Sequence, residues 1–221
     1  MRDDVQVPAA PSATAGVLHV IEHSLAEHTL TQLRNKHTLP DQFRELSSWL
    51  LLLLTLEATR NVPTREETVE ASFSQHKGRS LGKPLIFLAL NRHALGLAHA
   101  VAESFPGLRV GMITLDRSPD TQHIEPRFHL NNAPLLDSAK VILFEPVISS
   151  GVSASVALRL LRRSGASDVS LISFVGSLAG LSHLQSAFPD LDVWTAGVDT
   201  ELDAKRGPLP GLGDFSARLY G

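Results

Sequence analysis

Cysteine is absent from this chain of 221 residues, which excludes disulfides, thiolate metal ligands and cysteine nucleophiles. Long apolar runs are also absent. The most apolar run, residues 49–56, is far shorter than the roughly 20 residues that a transmembrane helix needs. The charges nearly balance, because 20 basic and 23 acidic residues give a net charge of -3. We therefore expect neither a membrane nor a nucleic acid as partner.

The amino terminus lacks the apolar core of a signal peptide and carries Asp3 and Asp4 instead. We therefore expect a cytoplasmic enzyme or binding protein. Residues 1–16 are rich in alanine, proline, serine and threonine, and we expect a mobile tail there. A hydrophobic content of 43% is enough for one sizeable core, so residues 17–221 are expected to form a single domain.

Strand-like and helix-like segments alternate from Pro84 onward. The strand-like segments are 85–90, 109–115, 141–144, 169–175 and 191–198, and the helix-like segments are 94–105, 153–165 and 178–188. Repeated β-α-β units with short connections specify an α/β fold, a parallel twisted sheet with helices on both faces.

Segments outside this alternation supply additions to the sheet. Residues 17–34 and 40–60 have helical spacing of apolar residues, and excess leucines in the second segment indicate a subunit contact, hence a homo-oligomer, dimer or higher. Residues 61–83 are polar, with an alternation at 69–73 that could form an edge hairpin. Residues 116–130 are long enough to form a functional flap.

Residues 140–155 carry the candidate site. A buried strand over 141–144 is followed by Glu145, by Pro146, which ends the strand, and by a serine- and glycine-rich loop that enters a helix near Ser153. Loop amides and a helix N-terminus can bind phosphate, and a carboxylate can accept hydrogen bonds from sugar hydroxyls. An ordinary turn capped by a serine explains the same pattern, so both interpretations stay open at this point.

Charged residues follow three other predicted strands, namely Arg92, Arg117 and Asp199. Ligands of open α/β sheets bind at the carboxyl ends of the strands, so these residues are expected to join Glu145 at one edge. That convergence favours a functional site. No G-x-G-x-x-G or Walker A loop is present, which argues against the common dinucleotide and P-loop folds.

Four motifs, in order, resemble those of the uracil phosphoribosyltransferase family, and the likeness covers residues 23–221. Arg92-His-Ala-Leu-Gly96 is similar to Arg-Ala-Gly-Leu-Gly, which holds the pyrophosphate of phosphoribosyl pyrophosphate (PRPP) in that family. Arg117 matches the arginine at the base of the flap. Residues 145–153 stand where the family has its ribose-phosphate loop, Asp-Pro-Met-Leu-Ala-Thr-Gly-Gly-Ser, and residues 210–214 are identical to its Pro-Gly-Leu-Gly-Asp beside the base.

This resemblance implies a phosphoribosyltransferase fold with N-terminal helices and a flap hairpin. It also implies transfer of ribose 5-phosphate from PRPP to uracil or a uracil-like base, with release of pyrophosphate. Catalytic roles are implied for Arg117 and Asp214, and Mg²⁺ is the implied cofactor, held mostly by substrate, with Asp214 as a candidate ligand. The residues implied in PRPP binding are Arg92, Arg117, Glu145, Ser149, Ser150, Gly151, Val152, Ser153 and Asp214. Those implied in base binding are Pro208, Gly213, Asp214 and Phe215.

The base half of the site departs from the family pattern. Pro208 has no N–H to offer a base carbonyl, and Phe215 replaces a small alanine. Three alternatives therefore remain open: a uracil or uracil-like phosphoribosyltransferase, an enzyme for a different heterocycle, and a non-catalytic member that senses PRPP or a nucleotide.

Overall fold

A computed structural model describes residues 15–117, 124–130, 136–204 and 207–221, with the backbone alone at Arg117. The expected tail therefore lies outside the described residues except at its last two positions, and there the Gly16 N–H donates to the carbonyl oxygen of Pro189 at 2.7 Å. The tip of the expected flap, residues 118–123, also lies outside them. Within the described part of the chain, no helix combines the length and the apolarity needed to cross a bilayer.

The secondary structure alternates through most of the chain. The helices are α1 (Ser24–Arg34), α2 (Pro40–Thr59), α3 (Arg92–Ser104), α4 (Val152–Arg163), α5 (Leu178–Ala187) and α6 (Phe215–Tyr220). The strands are β1 (Leu18–Val20), β2 (Thr64–Glu70), β3 (Gln75–Leu81), β4 (Leu85–Leu90), β5 (Arg109–Arg117), β6 (Ile124–His129), β7 (Lys140–Phe144), β8 (Val147–Ile148), β9 (Asp168–Ser177), β10 (Asp192–Asp199), β11 (Glu201–Leu202) and β12 (Pro208–Leu209).

Among the described residues, eight strands form one sheet in the order β1-β10-β9-β7-β4-β5-β6, with β8 paired beside β9. Strand β6 is antiparallel to β5 and forms the second arm of the flap, whereas the other pairs are parallel. Every residue of β4 and β7 is buried, because helices cover both faces of the sheet. The expected α/β fold with helices on both faces is confirmed.

Alternate residues of each strand serve the two faces. Phe87 and Phe144 belong to the core that contains α1, α2, α3 and α6. Leu88 and Leu143 belong to the core that contains α4 and α5. This period of two is the ordinary alternation of a strand, here with apolar residues on both sides.

The parallel strands β4 and β7 are hydrogen-bonded neighbours. The chain adds its next strand on opposite sides of this pair. From β4 it crosses through α3 to β5 on one side, and from β7 it crosses through α4 to β9 on the other. The helices α3 and α4 cover opposite faces of the sheet. The carboxyl ends of β4 and β7 are therefore a topological switch point, where open α/β sheets bind ligands.

The predicted helix over residues 17–34 is wrong in its first part. Leu18–Val20 form β1, which pairs in parallel with β10, and the helix begins only at Ser24. The His23 side chain caps it, because its Nδ1 accepts a hydrogen bond from the Leu25 N–H at 3.1 Å. A segment of three mostly apolar residues is compatible with either a helix or a strand. Hydrogen bonds to β10 stabilise the strand here.

The predicted edge hairpin is longer than expected and does not join the sheet. In the part of the chain that the structure describes, β2 and β3 pair with each other and with no further strand. Every residue of β2 is exposed, since both faces of this ribbon are polar and have nothing to bury. The α2 helix, predicted at 40–60, is observed at Pro40–Thr59 with proline in its first turn.

Candidate active site

The loop after β7 is the candidate anion site, at the start of α4. Gly151 has a left-handed backbone with φ of 73°, and no described side chain caps the helix at that residue. The Ser155 N–H donates to the carbonyl oxygen of Gly151 at 2.9 Å, so the amides of Val152 and Ser153 fall in the first turn that a helix leaves without internal partners. Those amides and the helix dipole favour a phosphate group there.

Close backbone contacts with α5 fix the shape of this loop. A Cβ on Gly151 would lie 2.8 Å from the carbonyl oxygen of Gly180, and a Cβ on Gly180 would lie 2.1 Å from the carbonyl oxygen of Ser149. The Ser177 hydroxyl also donates to the Ser149 carbonyl. Glycine is therefore required at both 151 and 180, for the close approach and, at 151, for the backbone conformation.

Glu145 stands between β7 and this loop. Its N–H donates to the Ile172 carbonyl at 3.1 Å, which fixes the backbone. Its Oε2 is sealed from solvent and has no hydrogen-bond partner among the described residues. Burial raises the pKa of the Glu145 carboxyl to about 8. A buried carboxyl oxygen without a partner is costly. Glu145 as a whole is half-buried, so a ligand can still reach its side chain.

The loop after β4 is held in a rare backbone conformation at Asn91, with φ of 76° and ψ of 170°. The Asn91 N–H donates to the Ile113 carbonyl at 2.8 Å. Its Oδ1 accepts from the amides of His93 at 3.0 Å and Ala94 at 3.3 Å. Non-glycine residues adopt this conformation where the surrounding structure imposes it, often at functional sites. Arg92, at the first position of α3, is exposed.

Sequence reasoning did not single out Asn91. The available signal was an asparagine between a buried strand and a helical segment, which is the pattern of an N-cap residue.

Asp199 lies at the end of β10, where the sequence predicts a ligand contact. Its contacts instead support residues 207–214, the segment predicted to lie beside the base. It is 2% exposed, and its carboxylate pairs with both terminal nitrogens of Arg34, at 2.7 and 3.2 Å. It also accepts a hydrogen bond from the Gly211 N–H at 3.0 Å. Arg34 comes from α1, 165 residues earlier. This buried pair fixes the loop of residues 207–214.

The predicted base-site residues differ in their surroundings. Pro208 is buried and pairs with Leu202 in a short antiparallel ladder. Gly213 is exposed with φ of 68°, and Asp214 is exposed and caps α6, its Oδ1 accepting from the Ala217 N–H at 3.0 Å.

The Phe215 ring is half-buried and lies against core aromatic rings, with centroid distances of 5.3 Å to Phe43 and 5.9 Å to Phe174. The ring therefore packs against the core, and these contacts give no indication that it lines an open pocket. The base-binding roles of these residues stay predictions.

The candidate loops meet at one edge of the sheet. The Arg92 loop and the Glu145 loop follow the neighbouring strands β4 and β7. Arg117 is the last residue of β5, where its backbone pairs with Ile124, and its side chain lies outside the described residues. In the ranges that the structure describes, no group of three or more histidine or acidic side chains could hold a metal ion.

Comparisons with known proteins identify the family of this chain. The family model for uracil phosphoribosyltransferase matches residues 20–221. A uracil phosphoribosyltransferase of Fervidobacterium nodosum is 34% identical over 205 residues, 92% of this chain and 99% of that protein. One of Rhodococcus jostii is 34% identical over 207 residues, 93% of this chain and 99% of that protein.

Solved structures share the fold. A protein from Aquifex aeolicus has a TM-score of 0.82 at 24% identity and covers 92% of this chain and 98% of its own. Adenine phosphoribosyl transferase from Trypanosoma brucei, solved with AMP, pyrophosphate and ribose-5-phosphate, has a TM-score of 0.55 at 13% identity, covering 86% and 87%. The 34% identity with these relatives, over nearly the whole chain, indicates more than a shared fold. The chain belongs to the uracil phosphoribosyltransferase family.

Proposed function

We propose that this protein transfers ribose 5-phosphate from PRPP to uracil, giving UMP and pyrophosphate. The observation that carries the proposal is the glycine-pinned loop at the start of α4, which follows the half-buried Glu145 at the switch point of the sheet. Relatives that match nearly the whole chain are named for this activity.

Each half of PRPP has a partner in this arrangement. The 5-phosphate binds the amides and hydroxyls of residues 149–153 at the α4 N-terminus. Glu145, which is half-buried, accepts hydrogen bonds from the ribose hydroxyls. Arg92 and Arg117 bind the pyrophosphate, and their charge stabilises it as the leaving group.

The reaction breaks the bond between ribose C1 and pyrophosphate and forms a bond from C1 to a ring nitrogen of uracil, whose proton is released to water. Positive charge grows on the ribose and negative charge on pyrophosphate in the transition state. A preorganised site lowers this barrier chiefly by holding the two substrates in line and by placing fixed charges beside the leaving group.

Mg²⁺ fits this site as an ion carried by the substrate. The described residues supply no cluster of protein ligands, and Mg²⁺ commonly binds through substrate phosphates, waters and one or two carboxylates. Asp214, which is exposed, and Glu145, which is half-buried, are the carboxylates that would contribute. When bound, the ion would supply positive charge that stabilises the leaving pyrophosphate.

Uracil is the base we favour. The Phe215 ring packs against Phe43 and Phe174, so this replacement of alanine does not by itself narrow the base pocket. Residues 207–214, with Gly213 and Asp214, present backbone groups to the base. Pro208 still lacks an N–H, and for that reason a different heterocycle is the alternative.

Pyrophosphate release from PRPP, measured with a panel of nucleobases, tests the proposal. Uracil should give the highest kcat/KM. Release with a different base alone would transfer the assignment to that heterocycle. Thermal stabilisation by PRPP without release on any base would leave the sensing role, and stabilisation at a hundred times Kd should reach about 2.7 kcal/mol. No response to PRPP would refute the site itself.

We also propose that the protein acts as a homo-oligomer, with neither nucleic acid nor membrane as partner. Two exposed features support self-association. The ribbon of β2 and β3 carries the fully exposed Phe73 at its turn, and a two-stranded ribbon is marginal without something to pack on. Acidic residues concentrate on β2 and basic ones on β3, so two copies related by a two-fold axis would match opposite charges. The second feature is Trp49 on α2, a large apolar residue that is 58% exposed.

Replacing Phe73 by serine should weaken association at least tenfold, about 1.4 kcal/mol, because the ribbon loses its apolar anchor. Light scattering across a dilution series measures the effect. Leu178→Ser is the matched control, since Leu178 is also exposed but begins α5 on the other layer. A monomeric native protein, or equal weakening by both changes, would contradict this proposal.

A further inference from the structure

A side-chain hydrogen bond joins the Arg92 loop, proposed to bind pyrophosphate, to the start of α6. That helix directly follows residues 207–214, which are proposed to bind the base and are called the base loop. His93 Nδ1 lies 2.9 Å from Ser216 Oγ, although the two residues are 123 positions apart in the chain. His93 directly follows Arg92 in the first turn of α3, and Ser216 lies two residues after Asp214 in α6. Both side chains are half-buried.

The two helices also pack together beyond this bond. Gly96 lies three residues after His93 on the same face of α3, and a Cβ there would lie 2.8 Å from the Tyr220 hydroxyl. The His93 and Tyr220 rings are 5.9 Å apart. The first turns of α3 therefore form the surface on which α6 rests.

Other anchors of α6 lead away from the PRPP half of the site. The Arg218 guanidinium donates to the carbonyl oxygens of Leu33, Asn35 and Leu212, and the Leu219 carbonyl accepts from Arg44. These contacts tie α6 to α1, α2 and its own loop. The bond to His93 is the polar side-chain contact that ties it to the residues beside Arg92.

The position of His93 is itself set by the loop that precedes it. Asn91 caps the His93 amide with its side chain while its own backbone is held at φ of 76°. The family motif that this segment resembles has alanine where His93 stands, and alanine has no side-chain hydrogen bond to offer. The link thus distinguishes this chain from that motif.

We propose that His93 is a positioning residue that couples the two halves of the site. PRPP that binds Arg92 fixes the first turn of α3, and His93 passes this restraint through Ser216 to the base loop, which becomes ordered for uracil. The coupling is reciprocal, so uracil should tighten PRPP binding by the same factor. This inference rests on the proposed function, because it needs PRPP at Arg92.

Steady-state kinetics and hydrogen exchange test the coupling in four variants of the full chain: His93→Ala, Ser216→Ala, their double variant and His93→Asn. In the native protein, PRPP should slow amide exchange in residues 207–217. His93→Ala should remove most of that slowing and raise the KM for uracil at saturating PRPP about tenfold, within the range of measured couplings. The kcat and the Kd of PRPP alone should change less than about threefold by the same reasoning.

The remaining variants separate positioning from simple packing. Ser216→Ala should match His93→Ala, and the double variant should be no worse, since each change removes the same bond. His93→Asn should restore the native KM, because an asparagine amide can hydrogen-bond from nearly the position of Nδ1. A lower Tm with unchanged KM and exchange, additive losses, or no rescue by asparagine would overturn the inference.

Failure of the proposed function gives a different pattern. A native protein that forms no product with any base, yet shows PRPP-dependent exchange that His93→Ala abolishes, would refute transfer and uphold the coupling. A native protein that transfers to uracil with variants that behave identically would refute the coupling alone. Absence of any response to PRPP would refute both.

Discussion

Gly151→Ala is expected to abolish PRPP binding while the protein stays folded. The left-handed conformation at φ of 73° costs an alanine roughly 1–2 kcal/mol. The added Cβ would also lie 2.8 Å from the Gly180 carbonyl oxygen and 3.1 Å from Leu184 Cγ. The loop can relieve this clash only by moving away from α5, which displaces the first amides of α4. We expect PRPP affinity to fall at least a hundredfold, about 2.8 kcal/mol, measured by calorimetry.

Gly165→Ala is the matched control at the opposite end of α4. Its φ of 92° imposes a similar left-handed penalty, but the nearest atom to an added Cβ is Asp137 Cβ at 3.9 Å, an ordinary contact. We expect a loss of thermal stability from this change and an unchanged Kd for PRPP. Equal losses of affinity in both variants would show that strain, and not the geometry of the anion loop, governs binding.

Replacing Glu145 by glutamine should change how the stability of the protein depends on pH. Burial raises the pKa of the Glu145 carboxyl from 4.5 to about 8, so the folded state holds this proton more tightly than the unfolded state does. The native protein therefore keeps full stability from this group below pH 4.5 and loses it as pH rises toward 8. A shift of this size corresponds to at most about 5 kcal/mol.

Glutamine does not titrate, so urea unfolding should show Glu145→Gln gaining on the native protein between pH 5 and 8, by several kcal/mol. The difference should level off above pH 8, where the native carboxyl is ionised. A difference between the two proteins that stays constant from pH 5 to 9 would show that the carboxyl is not sealed from water in solution.

The same substitution should impair catalysis. An ionised Glu145 accepts hydrogen bonds from ribose hydroxyls and faces the positive charge that develops on the sugar, so PRPP binding should release a proton from it near neutral pH. We expect kcat to fall about 10²–10³-fold in Glu145→Gln, the size of effect seen when one preorganised electrostatic contact is removed. The rise of native kcat/KM for PRPP toward pH 8 should also disappear. Unchanged turnover in the variant would exclude the role proposed for this residue.

The sequence by itself determined the central strands and the positions of the candidate site loops. Strand β4 has the predicted bounds, 85–90, because a short apolar run flanked by proline and asparagine can satisfy two covered faces in no other common element. The candidate phosphate loop was placed by its pattern too, but an ordinary serine-capped turn explained that pattern equally well. The local sequence pattern was sufficient to predict a strand where all of its residues are buried, as in β4.

The tertiary structure alone decided what the polar residues do. Asp199 ends a strand as Glu145 follows one, yet Arg34 from a distant helix neutralises Asp199, whereas Glu145 Oε2 keeps no partner among the described residues. The Phe215 ring likewise turns to the core because Phe43 and Phe174 lie there. A side chain faces a ligand or a partner according to which groups packing brings within about 3 Å, and those groups are far apart in the chain.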